Sequence, residues 1–279
     1  MTRTHLMFCT LILVALAGHS AALADHFAVL RPSPHMVTDS DASKVDISIA
    51  FAQPSAQIGH DMDTLQMFAV LRYPAQPGDQ IIRHDLLENL EEAKYLDKKS
   101  WRTEIDMSEP GMYQLVLETR PYWEEQRGVF IQQFAQALVP VLGAQHGWES
   151  PVGLKMEILP LTRPFGMVAP ALFTGRILRE GQTLPNTLVH IEYLNEDGRI
   201  EQSPYHQTQS VRSNEQGLFS FVCPYPGWWG FAAVTGGDPL KGPDGQAKRT
   251  ELSGVLWLKV DPQPEIAPKS QKKKSPNKK

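Results

Sequence analysis

The sequence GWESPVGLKMEILPLTRPF, residues 147–165, decides how the chain is divided. In its middle, apolar residues at 154, 156 and 158 alternate with Lys155 and Glu157. Because successive side chains of a strand point to opposite faces, this pattern predicts a half-buried strand with Lys155 and Glu157 in water. Its prolines, Pro160 among them, lack an amide donor and are expected to end the pairing. We interpret the stretch as a joint between two β-rich halves.

Short runs of alternating residues on both sides of this joint predict further strands. The clearest run in the first half is 45–51, and the second half repeats such runs between glycine turns, at 173–178, 188–193, 218–222, 227–234 and 254–260. This spacing is typical of a β-sandwich. We therefore predict an all-β protein with two β-sandwich domains, residues 25–165 and 166–261.

Two segments of the first half leave the choice of element open. Residues 129–141 have the best helical pattern in the chain, although a strand running into a short helix fits them too. Residues 85–99 are charged and contain helix-forming residues, but they equally suit a pair of polar strands.

The two ends of the chain predict an exported protein. Residues 1–24 resemble a secretory signal, with Arg3, an apolar run at 11–17 and an A-x-A cleavage site at 22–24. The apolar run is too short to span a bilayer, so no stable membrane insertion is expected. Residues 262–279 are rich in lysine and proline and are predicted to be a disordered tail.

The charge of the body excludes one class of partner. Of the 279 residues, those from 25 to 261 include 20 basic and 30 acidic side chains, a formal charge of about −10. An acidic body does not bind nucleic acid unaided and favours cations. The only cysteine after the signal, Cys223, ends a strand-like run and is predicted to be a buried thiol.

Several short strings of the mature chain carry a family resemblance. They are His26-Phe27, Gly111-Met112-Tyr113-Gln114, Pro121-Tyr122-Trp123-Glu124, residues 151–165, residues 226–233 and Leu256-Trp257. Together they resemble the DUF4198 family of bacterial periplasmic proteins associated with nickel and cobalt uptake transporters. The strings at 181–191 and 214–221 also resemble the prealbumin-like sandwich of carboxypeptidase regulatory modules. The resemblance implies a periplasmic protein that binds Ni²⁺ or Co²⁺ and delivers it to a membrane transporter.

Cleavage after Ala24 would place a metal-binding pattern at the mature N-terminus. The α-amine of Asp25, the following amide and the imidazole of His26 can close fused chelate rings around one ion. Such nitrogen-rich tetragonal coordination suits Ni²⁺ or Cu²⁺. We therefore predict a metal site on His26 and Asp25, with further ligands drawn from His35, His60, Asp61 and Asp63. Packing of His26 at a strand start and a solvated turn at 60–63 are the alternatives.

The chain departs from the family pattern at two places. Gln53-Pro54 stands where the family has His-Pro, and Gln132-Gln133 stands where a histidine usually follows the Pro-Tyr-Trp string. These departures favour a second hypothesis, a metal-free periplasmic interaction or scaffold module. A third hypothesis is a carbohydrate-binding module that uses Tyr122, Trp123 or Trp148. Because no G-x-S-x-G, H-E-x-x-H or phosphate-binding glycine loop occurs, we predict that the protein is not an enzyme.

Overall fold

The regular structure consists almost entirely of strands. The computed structural model describes residues 26–39, 43–76 and 78–264. In these ranges nineteen strands follow one another along the chain: β1 (Phe27–Ser33), β2 (Lys44–Gln53), β3 (Ile58–His60), β4 (Met67–Pro74), β5 (Ile82–Asp85), β6 (Glu91–Tyr95), β7 (Lys98–Asp106), β8 (Gly111–Glu118), β9 (Tyr122–Glu124), β10 (Val129–Val141), β11 (Met156–Pro160), β12 (Met167–Val168), β13 (Ala171–Arg179), β14 (Gln182–Thr183), β15 (Leu188–Tyr193), β16 (Gln209–Arg212), β17 (Leu218–Cys223), β18 (Gly227–Lys241) and β19 (Ala247–Asp261). The described helices are two single 3-10 turns, Leu87–Asn89 and Pro204–His206. No described helix is long and apolar enough to cross a membrane.

These strands form three sheets. The first has the order β1-β2-β7-β6, with β3 added to β2. The second has ten strands in the order β16-β15-β18-β19-β10-β8-β4-β5, with β12 beside β19 and β9 beside β10. The third has the order β11-β13-β14, with β17 on β13. The prediction of an all-β sandwich protein is confirmed.

The ten-stranded sheet contains strands from both sides of the joint. Strand β10 precedes the joint and β19 follows it, yet they pair in parallel from Phe130 opposite Thr250 to Ala137 opposite Trp257. The two halves therefore share backbone hydrogen bonds in the centre of one sheet. Whether residues 25–165 and 166–261 fold as separate domains stays a prediction.

The ten-stranded sheet lies between the other two sheets. Along β8, Met112 and Val116 belong to one buried cluster, and Tyr113 and Leu115 belong to a second. Because alternate residues of a strand face opposite sides, each side of this sheet has its own core. The five-stranded sheet covers one side with Val45, Ile47 and Ile49, and the four-stranded sheet covers the other with Ile158, Phe173 and Phe219.

The joint is a packed strand rather than an exposed one. Strand β11 ends at Pro160, as predicted, but Glu157 is 1% exposed, and the prediction that it faces water is wrong. The reason is that β11 lies closely over β19: a Cβ added to Gly254 would come within 2.9 Å of Glu157 N. The Glu157 carboxylate accepts a 2.9 Å bond from Val152 N, and burial raises its pKa.

The two segments whose element type the sequence left undecided both contain strands. Residues 129–141 form β10, because pairing with β8, β9 and β19 outweighs the helical pattern. Residues 85–99 contain one 3-10 turn and then a hairpin of β6 and β7. The hairpin turns at Leu96 and Asp97, both at positive φ, which matches the twist that two-residue turns require.

Cys223 lies where the sequence predicted it, in the core. Its side chain is 0% exposed and forms no disulfide, and burial raises the pKa of the thiol to about 12. A thiol with this pKa is protonated at neutral pH, so it does not act as a nucleophile there.

Candidate functional site

One end of the five-stranded sheet brings two histidines together. His26 immediately precedes β1, and His60 ends β3. Phe27 lies opposite Ala52, and Phe51 lies opposite His60, so the two pairings carry both histidines to the same end of β2. The centroids of the two imidazole rings are 4.0 Å apart. The ring of Phe51 packs against His26 at 5.3 Å.

A carboxylate from the ten-stranded sheet completes this group. Glu124 ends β9, whose pairing with β10 places Glu124 opposite Val129. Its Oε2 lies 3.7 Å from Nδ1 of His26, and the two side chains are 11% and 13% exposed. We call His26, His60 and Glu124 the imidazole–carboxylate cluster. Residues 26, 60 and 124 are far apart in sequence, so only the pairing of strands brings them together.

Gln53 and Gln133, which stand where the family resemblance predicts histidines, both contact His26. Gln53 Nε2 lies 3.2 Å from Nε2 of His26. Gln133 Nε2 donates a 2.5 Å bond to the His26 carbonyl, and its Oε1 accepts a 2.5 Å bond from Ala28 N. Histidines at positions 53 and 133 would therefore stand around His26. In this chain the same positions orient His26 through amide groups instead.

Burial keeps both imidazoles of the cluster unprotonated near neutral pH. It lowers the pKa of His26 to about 4, with positive charge on His60 and Arg127 as smaller causes. It also lowers the pKa of His60, against the opposing effect of the Glu124 carboxylate. A neutral imidazole has a lone pair available for a metal ion, so both rings are chemically ready to act as ligands.

The described residues do not form a complete set of metal ligands. No group of three or more His, Cys, Asp or Glu side chains within the described ranges is arranged to hold a metal ion. However, Nε2 of His60 is buried without a hydrogen-bond partner, a costly state for a polar atom. Asp25, with its predicted α-amine, lies outside the described residues. Its role as a ligand stays a prediction.

The remaining predicted ligands have partners outside the cluster. His35 follows the opposite end of β1, where its Nε2 lies 3.2 Å from Oδ1 of Asp261. Asp61 accepts a 2.8 Å bond from Lys99 N, and Asp63 accepts a 2.7 Å bond from Thr64 N. Both aspartates are exposed and line an adjacent cavity, with their carboxylates used in part by backbone amides.

That cavity has a volume of about 500 Å³. Phe51, Ile131 and Gln133 line its buried side, and Tyr122 and Trp123 line it from β9. Because Phe51 contacts His26 and also lines the cavity, one ring separates the cavity from the cluster.

Glu124 is the residue that the metal-site prediction from the sequence missed. The sequence placed it only in an aromatic and acidic string with Tyr122 and Trp123. Because alternate residues of a strand share a face, Tyr122 and Glu124 lie on the same face of β9. This alternation is the sequence signal that could have indicated Glu124. The sequence did not show that this strand pairs with β10, the strand that carries Gln133 to His26.

Comparisons with solved structures give only low similarity. MtrC from Shewanella baltica OS185 is 5% identical, with 85% of this chain and 70% of that chain covered and a TM-score of 0.26. A Ca²⁺-stabilised, ice-binding adhesin of an Antarctic bacterium is 11% identical, with 83% and 47% covered and a TM-score of 0.21. A two-domain fibronectin type III segment of chicken tenascin is 10% identical, with 83% and 99% covered and a TM-score of 0.19. Similarity at this level carries no inference about function.

Two further comparisons were made, with curated proteins and with protein families. No curated protein matches the sequence. The profile of DUF4198, described as a domain of unknown function, matches residues 23–237, which include every member of the imidazole–carboxylate cluster and most of the three sheets. The chain therefore belongs to the DUF4198 family.

Proposed function

We propose that this protein is an exported, periplasmic accessory protein that binds Ni²⁺ or Co²⁺ as cargo and delivers it to a membrane uptake transporter. The observation that carries the proposal is the approach of His26 and His60 to 4.0 Å between ring centroids, beside Glu124. Two buried, neutral imidazoles at one point are a suitable start for a nitrogen-rich site. The acidic body favours the approach of a cation.

The mature N-terminus supplies the donors that the cluster lacks. In the proposed site the α-amine of Asp25, the next amide nitrogen and Nδ1 of His26 take three positions of a tetragonal ion. His60 takes the fourth, with the Glu124 carboxylate beside the ion. The free α-amine has a pKa of about 7.7–8.0 and loses its proton readily near neutral pH.

The test is a titration of two forms of the protein with Ni²⁺ and Co²⁺. The first form is secreted and processed in its host, and mass spectrometry verifies Asp25 as its terminus. The second form has its α-amine blocked by acetylation, which removes that donor without moving His26. The proposal expects tight binding by the first form and a loss of about 100-fold or more in the second. Equal binding by both forms would move the site away from the N-terminus, and binding by neither would refute the metal function.

A metal-free interaction module is the second candidate function. It is favoured by Gln53 and Gln133, which occupy the positions around His26 with amides that are already hydrogen-bonded. Affinity capture from the periplasm, with and without a chelator, separates the two functions. Equal recovery of partners in both conditions supports the module, whereas loss of partners with the chelator supports metal delivery.

A further inference from the structure

The cavity beside the cluster has a defined shape of its own. One wall is the loop 61–64, the other is the segment 119–123, and Phe51 and Ile131 form the floor. Its volume of about 500 Å³ lies in the usual range for small-molecule sites, about 300–1,000 Å³. The proposed metal site takes none of its ligands from this cavity.

Both walls are held in place by hydrogen bonds. Asp61 accepts from Lys99 N at 2.8 Å, and the Asp63 carbonyl accepts from Trp101 Nε1 at 3.1 Å. These bonds attach the loop 61–64 to β7. Arg120 Nε donates to Thr64 Oγ1 at 3.2 Å, which attaches the two walls to each other. A ligand therefore meets a cavity that is already shaped, and little conformational entropy is lost on binding.

The charges of the rim have both signs. Asp61 and Asp63 supply two carboxylates. Arg120 and Lys99 supply two cations, of which Lys99 also pairs with Glu92 at 3.3 Å. A simple anion or a simple cation is repelled by half of these groups. A molecule with one ammonium and one carboxylate satisfies both halves, since each of its ends meets the opposite charge.

The floor of the cavity suits a ring. Phe51 and Tyr122 pack at 5.7 Å between ring centroids, and Trp123 stands beside them with Phe130 behind it at 5.0 Å. Tyr122 is 42% exposed, so its face is available to a ligand. Offset or edge-to-face contact with these rings stabilises a planar group by about 0.5–1.5 kcal/mol in proteins generally.

We propose that this cavity binds a small zwitterion of the α-amino acid class with a planar ring side chain. Its carboxylate pairs with the Arg120 guanidinium, its ammonium pairs with Asp61 or Asp63, and its ring lies against Phe51 and Tyr122. A planar guanidinium binds a carboxylate through two parallel hydrogen bonds, which fixes the orientation of the ligand. This binding needs no metal ion and goes beyond the proposed cargo function.

The experiment is calorimetric titration of the processed full chain with L-histidine in the presence of EDTA. For a ligand of this size we expect a Kd on the order of 0.1 mM. Histamine lacks the carboxylate and imidazolepropionate lacks the ammonium, so each should bind at least about tenfold more weakly. EDTA removes any metal, so this result is independent of the fate of the metal proposal.

Variants locate the binding. Arg120→Gln should weaken L-histidine binding by about tenfold or more, whereas Arg83→Gln, an exposed arginine on β5 outside the cavity, should leave it unchanged. Asp61→Asn keeps an acceptor for Lys99 N and should weaken the amino acid but not imidazolepropionate. The proposal is overturned if the wild-type protein shows no saturable binding up to 10 mM, roughly a hundred times the expected Kd. It is also overturned if Arg120→Gln and Asp61→Asn both bind L-histidine as the wild type does.

Discussion

His26 and His35 flank β1 at its two ends, and their immediate surroundings share three features. Each is partly buried, each lies beside a carboxylate, Glu124 at 3.7 Å or Asp261 at 3.2 Å, and each packs against an aromatic ring. The difference lies in the next neighbour. His26 has a second imidazole at 4.0 Å, whereas the charged residue that acts on His35 besides Asp261 is Lys259.

This difference shows that residue type alone does not make the candidate site. Each of the two histidines has a positive group nearby, Arg127 at His26 and Lys259 at His35, so these cations do not distinguish the two ends of β1. A histidine with a second neutral imidazole and a carboxylate is a partial ligand set. The two ends of β1 differ because the short strand β3, which pairs with β2, brings His60 to His26.

The largest expected difference between the two ends of β1 is in how their histidines make the stability of the fold depend on pH. The folded-state pKa of His26 is about 4, below the usual value of 6.5, so the folded protein binds this proton less readily than the unfolded chain. The stability is therefore complete above pH 6.5 and is lost as the pH falls toward 4, by up to about 3 kcal/mol. Denaturation in EDTA across this range should show the loss in the wild type and a much smaller loss in His26→Gln.

His35→Gln is the matched control for this measurement. Burial lowers the pKa of His35 too, but the Asp261 carboxylate opposes the shift, so this variant should change the acid slope less than His26→Gln does. Equal slopes in the two variants would show that the two ends of β1 do not differ electrostatically.

The second prediction concerns metal affinity. His60→Asn should weaken Ni²⁺ binding by about 100-fold, because it removes an imidazole beside His26. His35→Asn should leave the affinity within about twofold of the wild type, since His35 lies at the other end of β1 and pairs with Asp261. Titration of both processed variants under the same buffer gives the comparison. An equal loss in both would contradict the assignment of the site.

The sequence predicted more of the fold than of the candidate site. Alternation predicted strands such as 45–51 and 188–193, because a half-buried strand carries its own pattern. It misplaced Glu157, because the sequence does not show that β11 is covered by Gly254 of β19. The segment 129–141 became a strand through a partner more than a hundred residues away.

The site combines one residue that the sequence identified with others that it did not connect. His26 was predicted from the signal cleavage and from chelate chemistry. His60 was named, but its approach to His26 depends on the pairing of Phe51 with His60. Glu124 lies on β9, which belongs to the ten-stranded sheet rather than to the sheet of β1 and β3. Long-range pairing of this kind leaves no local signal, and for that reason His35 and His60 had looked equivalent.

The third prediction places a histidine at position 53, where the family resemblance predicts one. Gln53 lies 3.2 Å from Nε2 of His26, the ring nitrogen that the proposed site leaves free. Gln53→His should therefore hold the His26 ring in place through a hydrogen bond and strengthen Ni²⁺ binding by about tenfold. Gln182→His, an exposed position on β14, controls for the addition of a histidine anywhere on the surface. If both variants bind like the wild type, a histidine at position 53 does not contribute to metal binding at the cluster.

The smallest expected effect is that of the carboxylates. Glu124→Gln keeps the size of the side chain but removes its charge, so it should weaken Ni²⁺ binding by about three- to tenfold. Asp261→Asn, the equivalent change beside His35, should have no effect on the affinity. Isothermal titration of the two variants in parallel checks this. A larger effect of Asp261→Asn would reverse the comparison.

The most direct measurement is X-ray absorption spectroscopy of the processed protein loaded with one equivalent of Ni²⁺. The scattering of imidazole rings reports how many histidines bind the ion. We predict nitrogen-rich coordination with two imidazoles, falling to one in His60→Asn and staying at two in His35→Asn. A spectrum with no imidazole scattering, or one that is identical in the wild type and His60→Asn, would contradict the assignment of the metal to the imidazole–carboxylate cluster.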